Sequence, residues 1–187
     1  MSGCETPGEA DGCGFTGRAM ETTAMARQYG VGIVGVGMIA EFHAQAVANL
    51  PSARVVAACA RTESKVQAFA ARHRCKAYTD FMAMIDDPAV EIVTVATPSG
   101  SHMEPAVAAA RAGKHAIIDK PIEITLERID AILEAHAKAG TTVGGFFNGR
   151  FTDSARLLRE AVEAGRFGRL TFGMAFGPWW RDQAYYD

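Results

Sequence analysis

The sequence predicts an α/β fold with a doubly wound parallel sheet of about six strands. Three observations carry that expectation. Short apolar runs recur between residues 29 and 147, and segments whose apolar residues fall at helical spacing lie between them. The first run, Gly30-Val31-Gly32-Ile33-Val34, collapses into Gly35-Val36-Gly37-Met38-Ile39-Ala40, a G-x-G-x-x-A turn at a strand-to-helix junction. The runs are continuous rather than alternating, as expected of strands buried on both faces, and joining such strands in parallel needs crossovers of about a dozen residues or more.

Composition narrows the partners. The 187 residues are 49% hydrophobic and 21% charged with a net charge of −2, a globular balance long enough for one full domain and part of another. There is no basic excess and no Lys/Arg stripe interleaved with aromatics, so nucleic acid is not expected as a partner. No apolar stretch approaches the ~18 residues that span a bilayer, so no membrane association is expected either. Cys4, Cys13, Cys59 and Cys75 lack C-x-x-C spacing, which points to free thiols in a reducing cytoplasm and to no metal site.

Residues 1–28 are rich in Gly, Thr, Glu and Ala without a sustained period or a signal-peptide core, and read as a disordered extension. After the glycine turn, residues 39–50 have helical spacing and stop at Pro51. Residues 54–60 form the second strand, Thr62 caps a helix to His73, and residues 76–78 make a short third strand. A short helix over 80–85 is stopped by Asp86-Asp87-Pro88. The fourth strand, 91–96, breaks at Thr97-Pro98-Ser99-Gly100, after which Ser101 caps a helix closed by Gly113. Residues 114–118 are the fifth strand, Thr125 opens a helix that Gly140 stops, and residues 141–147 are the sixth strand. Residues 29–150 thus make one dinucleotide-binding domain. An amphipathic helix over 153–164 and a strand over 170–176 would open a second, α+β domain across 151–187, incomplete at Asp187.

Ligands of an open α/β sheet bind at the carboxyl ends of its strands. Gly35 allows the tight turn, Gly37 lets backbone approach a pyrophosphate at the helix N-terminus, and Ala40 allows the helix to lie close to the sheet. After the second strand, Ala60-Arg61 stands where an acid would hold the ribose hydroxyls of NAD, and Lys65 follows one turn later. Basic residues there suit a 2′-phosphate, so NADP is expected in preference to NAD. Thr97 and Pro98 form a loop against which a cofactor would lie, and His102 near the following helix start suits a structural hydrogen-bonding role better than an acid–base one. Asp119-Lys120-Pro121 ends the fifth strand and directs the Lys120 ammonium toward the crevice, where it could polarise a carbonyl or hydroxyl.

The segments Gly-Ile-Val-Gly-Val-Gly-Met-Ile-Ala (32–40), Ala-Thr-Pro-Ser-Gly-Ser-His (96–102), Gly-Lys-His-Ala-Ile-Ile-Asp-Lys-Pro (113–121) and Gly-Phe-Phe-Asn-Gly-Arg-Phe (145–151) occur in this order. Together they resemble the Gfo/Idh/MocA family of NAD(P)-dependent oxidoreductases, from Tyr29 onward. Ser99 and Asp119 stand where the family more often has Asn and Glu. The resemblance implies a Rossmann domain in which Gly35, Gly37, Met38 and Ile39 line the pyrophosphate, and Thr97, Pro98 and His102 lie along the cofactor. It also implies that Lys120 is the active-site lysine, with Asn148, Trp180 and Arg181 as further cofactor contacts. Hydride transfer at a sugar or polyol, and a homo-oligomer for a full-length form, follow from the same likeness. The family's substrate-facing aspartate and histidine have no counterpart before Asp187. Two other readings stay open, a non-catalytic nucleotide-binding module and a methyltransferase, although the latter has no use for the Lys-Pro after the fifth strand.

Overall fold

The computed structural model describes residues 27–185. Its elements are β1 (Tyr29–Val34), α1 (Met38–Ala48), β2 (Ala53–Cys59), α2 (Glu63–His73), β3 (Lys76–Tyr78), α3 (Phe81–Ile85), β4 (Ile92–Val95), α4 (Met103–Arg111), β5 (His115–Asp119), α5 (Leu126–Ala139), β6 (Val143–Phe146) and α6 (Asp153–Glu163). The six strands form one parallel sheet in the order β3-β2-β1-β4-β5-β6. This is the doubly wound Rossmann order, and its crevice opens where the chain reverses direction, between the carboxyl ends of β1 and β4.

The pleat divides the apolar side chains between two cores. Val31 and Ile33 of β1, with Ala58 of β2, pack against Ala40 and Ala44 of α1 and Val66 and Phe69 of α2. The opposite face carries Val34, Val93, Val95 and Ile118 into a second cluster with Met84, Ala106, Ala109 and Ile132. Both faces of β1, β2 and β4 are covered, so these strands read as unbroken apolar runs, whereas in β5 only alternate residues are buried. Ala40 is fully buried, as the close helix-to-sheet approach requires.

Several boundaries follow local chemistry. The Asp80 carboxylate accepts from Met82 N at 3.0 Å to start α3, the Thr125 hydroxyl accepts from Arg128 N to start α5, and Gly140 ends α5 with φ of 66°. Thr62 does precede α2, but its hydroxyl makes no capping bond. Ser101 does not cap α4 either. The N-cap is His102, and the first amides of that helix are met by Glu123, a carboxylate from the loop after β5.

A second difference lies after α6. Residues 170–176 form no strand, and Leu170, Phe172, Met174 and Phe176 are 60–86% exposed. Alternating apolar residues make a strand only when a neighbouring backbone supplies the ladder, and no described strand lies alongside. No residue of α6 is buried, so its Leu157 and Leu158 face solvent. At the other end, the Arg27 guanidinium pairs with Glu91 and the Gln28 side chain donates to Pro51 O. The reading of residues 1–28 as disordered lies, for all but Arg27 and Gln28, outside the described residues. Among the described residues no helix is long and apolar enough to cross a membrane.

Candidate functional site

Strand register brings most of the sequence-selected residues to one edge. Cys59, Val34, Val95, Ile118 and Gly145 are successive partners across β2, β1, β4, β5 and β6. The residues that follow them, Ala60, Gly35, Ala96, Asp119 and Phe146, therefore line the carboxyl edge side by side.

The two glycines of the turn differ physically. Gly35 has φ of +94°, and a Cβ there would lie 2.4 Å from Ala96 O, so both backbone conformation and the approach of β4 demand glycine. Gly37 is extended, with φ of −78°, and a Cβ on it would meet nothing within 4 Å. It opens onto free space directly ahead of α1. No side chain caps that helix at Gly37, which leaves its first-turn amides available to an anion. Met38, the first residue of α1, is 71% exposed, and Ile39 is half-buried. The acid of this first turn, Glu41, is turned aside: its carboxylate binds His73 Nε2 at 2.9 Å and Arg72 at 3.2 Å. The His73 bond first, and then Arg72, hold its carboxyl below the usual range.

Beside the turn, Ala60 N donates to Tyr78 O at 3.1 Å, which fixes the end of β2. Arg61 and Lys65 are exposed, and among the described residues neither has an ion-pair partner. Lys120 is likewise exposed and without an ion-pair partner among the described residues, and its peptide bond to Pro121 is cis. The loop after β4 is closed by the Thr97 hydroxyl, which donates to Ser101 O at 2.9 Å, and its Pro98 is exposed.

The His102 side chain is enclosed between the loops after β4 and β5. It is only 1% exposed, with Nε2 at 2.8 Å from Thr97 O and Nδ1 at 3.0 and 3.1 Å from Pro121 O and Ile122 O. The ring is occupied with carbonyls of two loops, so any influence on a ligand passes through loop shape. Asn148 is exposed in the 3₁₀ turn Asn148–Phe151 directly after β6. Trp180 is 80% exposed and so is not packed against the strand edge, while the Arg181 guanidinium lies 5.6 Å from the Trp179 ring centroid.

Two residues that the sequence reading passed over stand close to this edge. Glu123 is 4% exposed, and its carboxylate accepts from the amides of His102, Met103 and Ile124 and from Arg128. Burial pushes its pKa up, but these donors outweigh it and hold the carboxyl below the usual range. The signal in the sequence was an acid inside the otherwise apolar Ile122-Glu123-Ile124. His43, on α1, is 6% exposed, and its ring sits 4.5 Å from that of Phe146. Its Nε2 is buried without a hydrogen-bond partner among the described residues. Burial lowers its pKa, opposed by the negative charge of Asp119. A histidine two residues after Glu41 gave little sign of burial in the sequence.

The family model described as "Oxidoreductase family, NAD-binding Rossmann fold" (GFO_IDH_MocA) matches residues 29–147. The chain belongs to the Gfo/Idh/MocA family. Members similar to it include a myo-inositol 2-dehydrogenase of Thermotoga maritima, 31% identical over 140 residues that make up 74% of this chain and 42% of the relative. A levoglucosan dehydrogenase of Pseudarthrobacter phenanthrenivorans is 33% identical, over 75% of this chain and 38% of the relative. Among solved Gfo/Idh/MocA structures, scyllo-inositol dehydrogenase from Lactobacillus casei with bound NAD(H) and scyllo-inositol superposes with a TM-score of 0.72. It is 27% identical, and the match covers 76% of this chain and 43% of that one. The WlbA dehydrogenase from Bordetella pertussis in complex with NADH and UDP-GlcNAcA gives a TM-score of 0.75 at 28% identity, over 78% of this chain and 42% of that one. The chain thus spans about 42% of the length of these family members.

Proposed function

We propose that this chain is the cofactor-binding part of an NAD(P)-dependent oxidoreductase that acts on a sugar or polyol hydroxyl or carbonyl. The observation that carries the reading is the open space over Gly37 beside uncapped amides of α1, a cradle that fits a pyrophosphate and that a Cβ would begin to fill. Gly35, Gly37, Met38 and Ile39 hold the pyrophosphate. Ala60, Arg61 and Lys65 border the adenosine ribose, and their charge favours a 2′-phosphate, hence NADP over NAD. Thr97, Pro98, Asp119 and Asn148 flank the remaining length, with Trp180 and Arg181 as outer contacts once their segment is packed. The bound nicotinamide supplies hydride exchange at carbon.

What the chain's own residues contribute is orientation. Lys120, exposed at the edge and without an ion-pair partner among the described residues, donates from Nζ to the substrate oxygen and biases it for proton exchange. His102 keeps the flanking loops in place and moves no proton. Two of the named relatives are dehydrogenases of myo-inositol and of levoglucosan, which supports a polyhydroxylated substrate. Free Cys59 and Cys75 suit a cytoplasmic setting, and the exposed apolar residues of α6 and of 170–176 suit a homo-oligomer in the full-length protein.

The test is fluorescence titration of the purified 187-residue chain with NADPH and NADH. Saturable binding of both, tighter for NADPH, is expected. Absence of binding to either would overturn the proposal.

A further inference from the structure

Lys120 is caught between two fixed points. On its amino side, Asp119 is the last residue of β5 and pairs in register with Phe146 of β6. On its carboxyl side, each of the next four residues is held. His102 Nδ1 lies 3.0 Å from Pro121 O and 3.1 Å from Ile122 O, the Glu123 carboxylate is sunk among donors, and Ile124 N donates to Glu123 Oε1 at 2.9 Å. Glu123 Oε2 accepts from His102 N at 3.1 Å, Met103 N at 2.9 Å and Arg128 at 3.2 Å. Arg128 also donates to Gly100 O at 3.2 Å and to both oxygens of Glu104 at 2.9 Å, so the loop after β4 is drawn into the same knot.

We infer that Glu123 is a positioning residue, whose carboxylate ties the loop after β5 to the loop after β4 and so fixes Lys120 at the crevice.

A helix cap alone does not need this arrangement. Ser101, directly ahead of the N-cap, is a suitable capping residue and is not used, whereas a buried carboxylate 20 residues away meets the first amides of α4. Burying that charge is costly, and the cost is offset only because amides of one loop, an amide of the other and Arg128 converge on it. Remove the charge, and the two loops keep only the His102 ring as a common tie, while strands and helices keep their own anchors. Lys120 then gains backbone freedom at the one place where an error of about 1 Å matters for an oriented ammonium. This inference rests on the proposed role of Lys120, but the fixing of the loops is testable without it.

The experiment compares the wild-type chain with Glu123→Gln by amide hydrogen exchange, and then by trace acylation of lysines with and without saturating NADPH. A glutamine preserves size but must turn its amide group toward at least one of the converging N–H donors. Exchange in the cofactor-free variant should quicken roughly tenfold, equivalent to about 1.4 kcal/mol of local opening, over residues 97–102 and 120–124 and remain unchanged at Val34 and Val95. With NADPH, Lys65 should stay shielded in both proteins, while Lys120 should be shielded in the wild type only. Exchange that is unchanged in the two loops, or raised everywhere alike, would overturn the inference, as would equal shielding of Lys120 in both proteins when both have bound NADPH. A selective exchange effect of Glu123→Gln, found together with a wild-type chain that binds no NADPH, would sink the proposed function and leave the Glu123 tie standing. Should Glu123→Gln not fold, Arg128→Lys reads the same quantities, since a lysine cannot reach Gly100, Glu104 and Glu123 together.

Discussion

Gly35 and Ala96 close against each other at the ends of β1 and β4, so near that a Cβ on Gly35 would stand 2.4 Å from the Ala96 carbonyl oxygen. Gly35→Ala therefore has to push two central strands apart while adopting a φ of +94°. We expect a loss of roughly 2 kcal/mol or more in urea unfolding. Gly37→Ala should behave differently: the space is open and the backbone extended, so stability should stay within about 0.5 kcal/mol while NADPH affinity falls by roughly tenfold. Equal stability losses for the two variants would contradict the distinction.

Arg61→Asp should reverse the cofactor order. The exposed guanidinium lies beside Ala60 at the end of β2, and an acid at that place accepts from ribose hydroxyls and repels a 2′-phosphate. Calorimetric titration should show NADPH weakened by about tenfold or more and NADH unchanged or tightened. A wild-type chain that prefers NADH by that factor would remove the phosphate-pairing argument.

Asp87 gives a pH signature. Its carboxylate accepts from Lys76 Nζ at 2.7 Å, Tyr78 OH at 2.8 Å and Ala89 N at 2.9 Å, and these bonds, Lys76 foremost, pull its pKa to about 2. A folded-state pKa below the unfolded one means stabilisation that is complete above about pH 4 and is lost as pH falls toward 2. Asp87→Asn should cost about 1 to 2 kcal/mol at neutral pH, less than the full shift implies because Lys76 is solvent-exposed, and should flatten the acid limb in that window. Chemical denaturation at a series of pH values measures both effects.

The 187-residue chain should hold a cofactor without turning over a polyol. Lys120 is exposed, and among the described residues no wall stands over it to keep a substrate at near-attack distance. A panel of inositols and aldoses with both cofactors should yield no Lys120-dependent turnover approaching about 1 per second. Turnover at that rate, abolished in Lys120→Ala, would show that the chain alone builds a competent site.

How much of this was legible beforehand depended on the range of the interactions involved. The glycine turn, the apolar runs of β1, β2 and β4 and the Gly140 stop are set within a few residues, and the sequence shows them directly. Residues 170–176 have the alternation of a strand, but alternation names two faces and not a partner. Ser101 looked like a cap because the competing carboxylate, Glu123, arrives from across the sheet edge. The same range hid the burial of His102 and His43, whose surroundings exist only after α1, α4 and the loop after β5 have packed.

The switch in strand order has a mechanical meaning. Residues 29–78 build β1 to β3 and residues 92–146 build β4 to β6, and these successive stretches share one ladder, the register pairs from Val31 and Ile92 to Val34 and Val95. A ligand laid across the crevice touches both stretches and acts as a bolt over that seam. Its binding free energy opposes every fluctuation that parts β1 from β4, so occupancy should be felt as slower amide exchange along the seam, well beneath the atoms that the ligand touches.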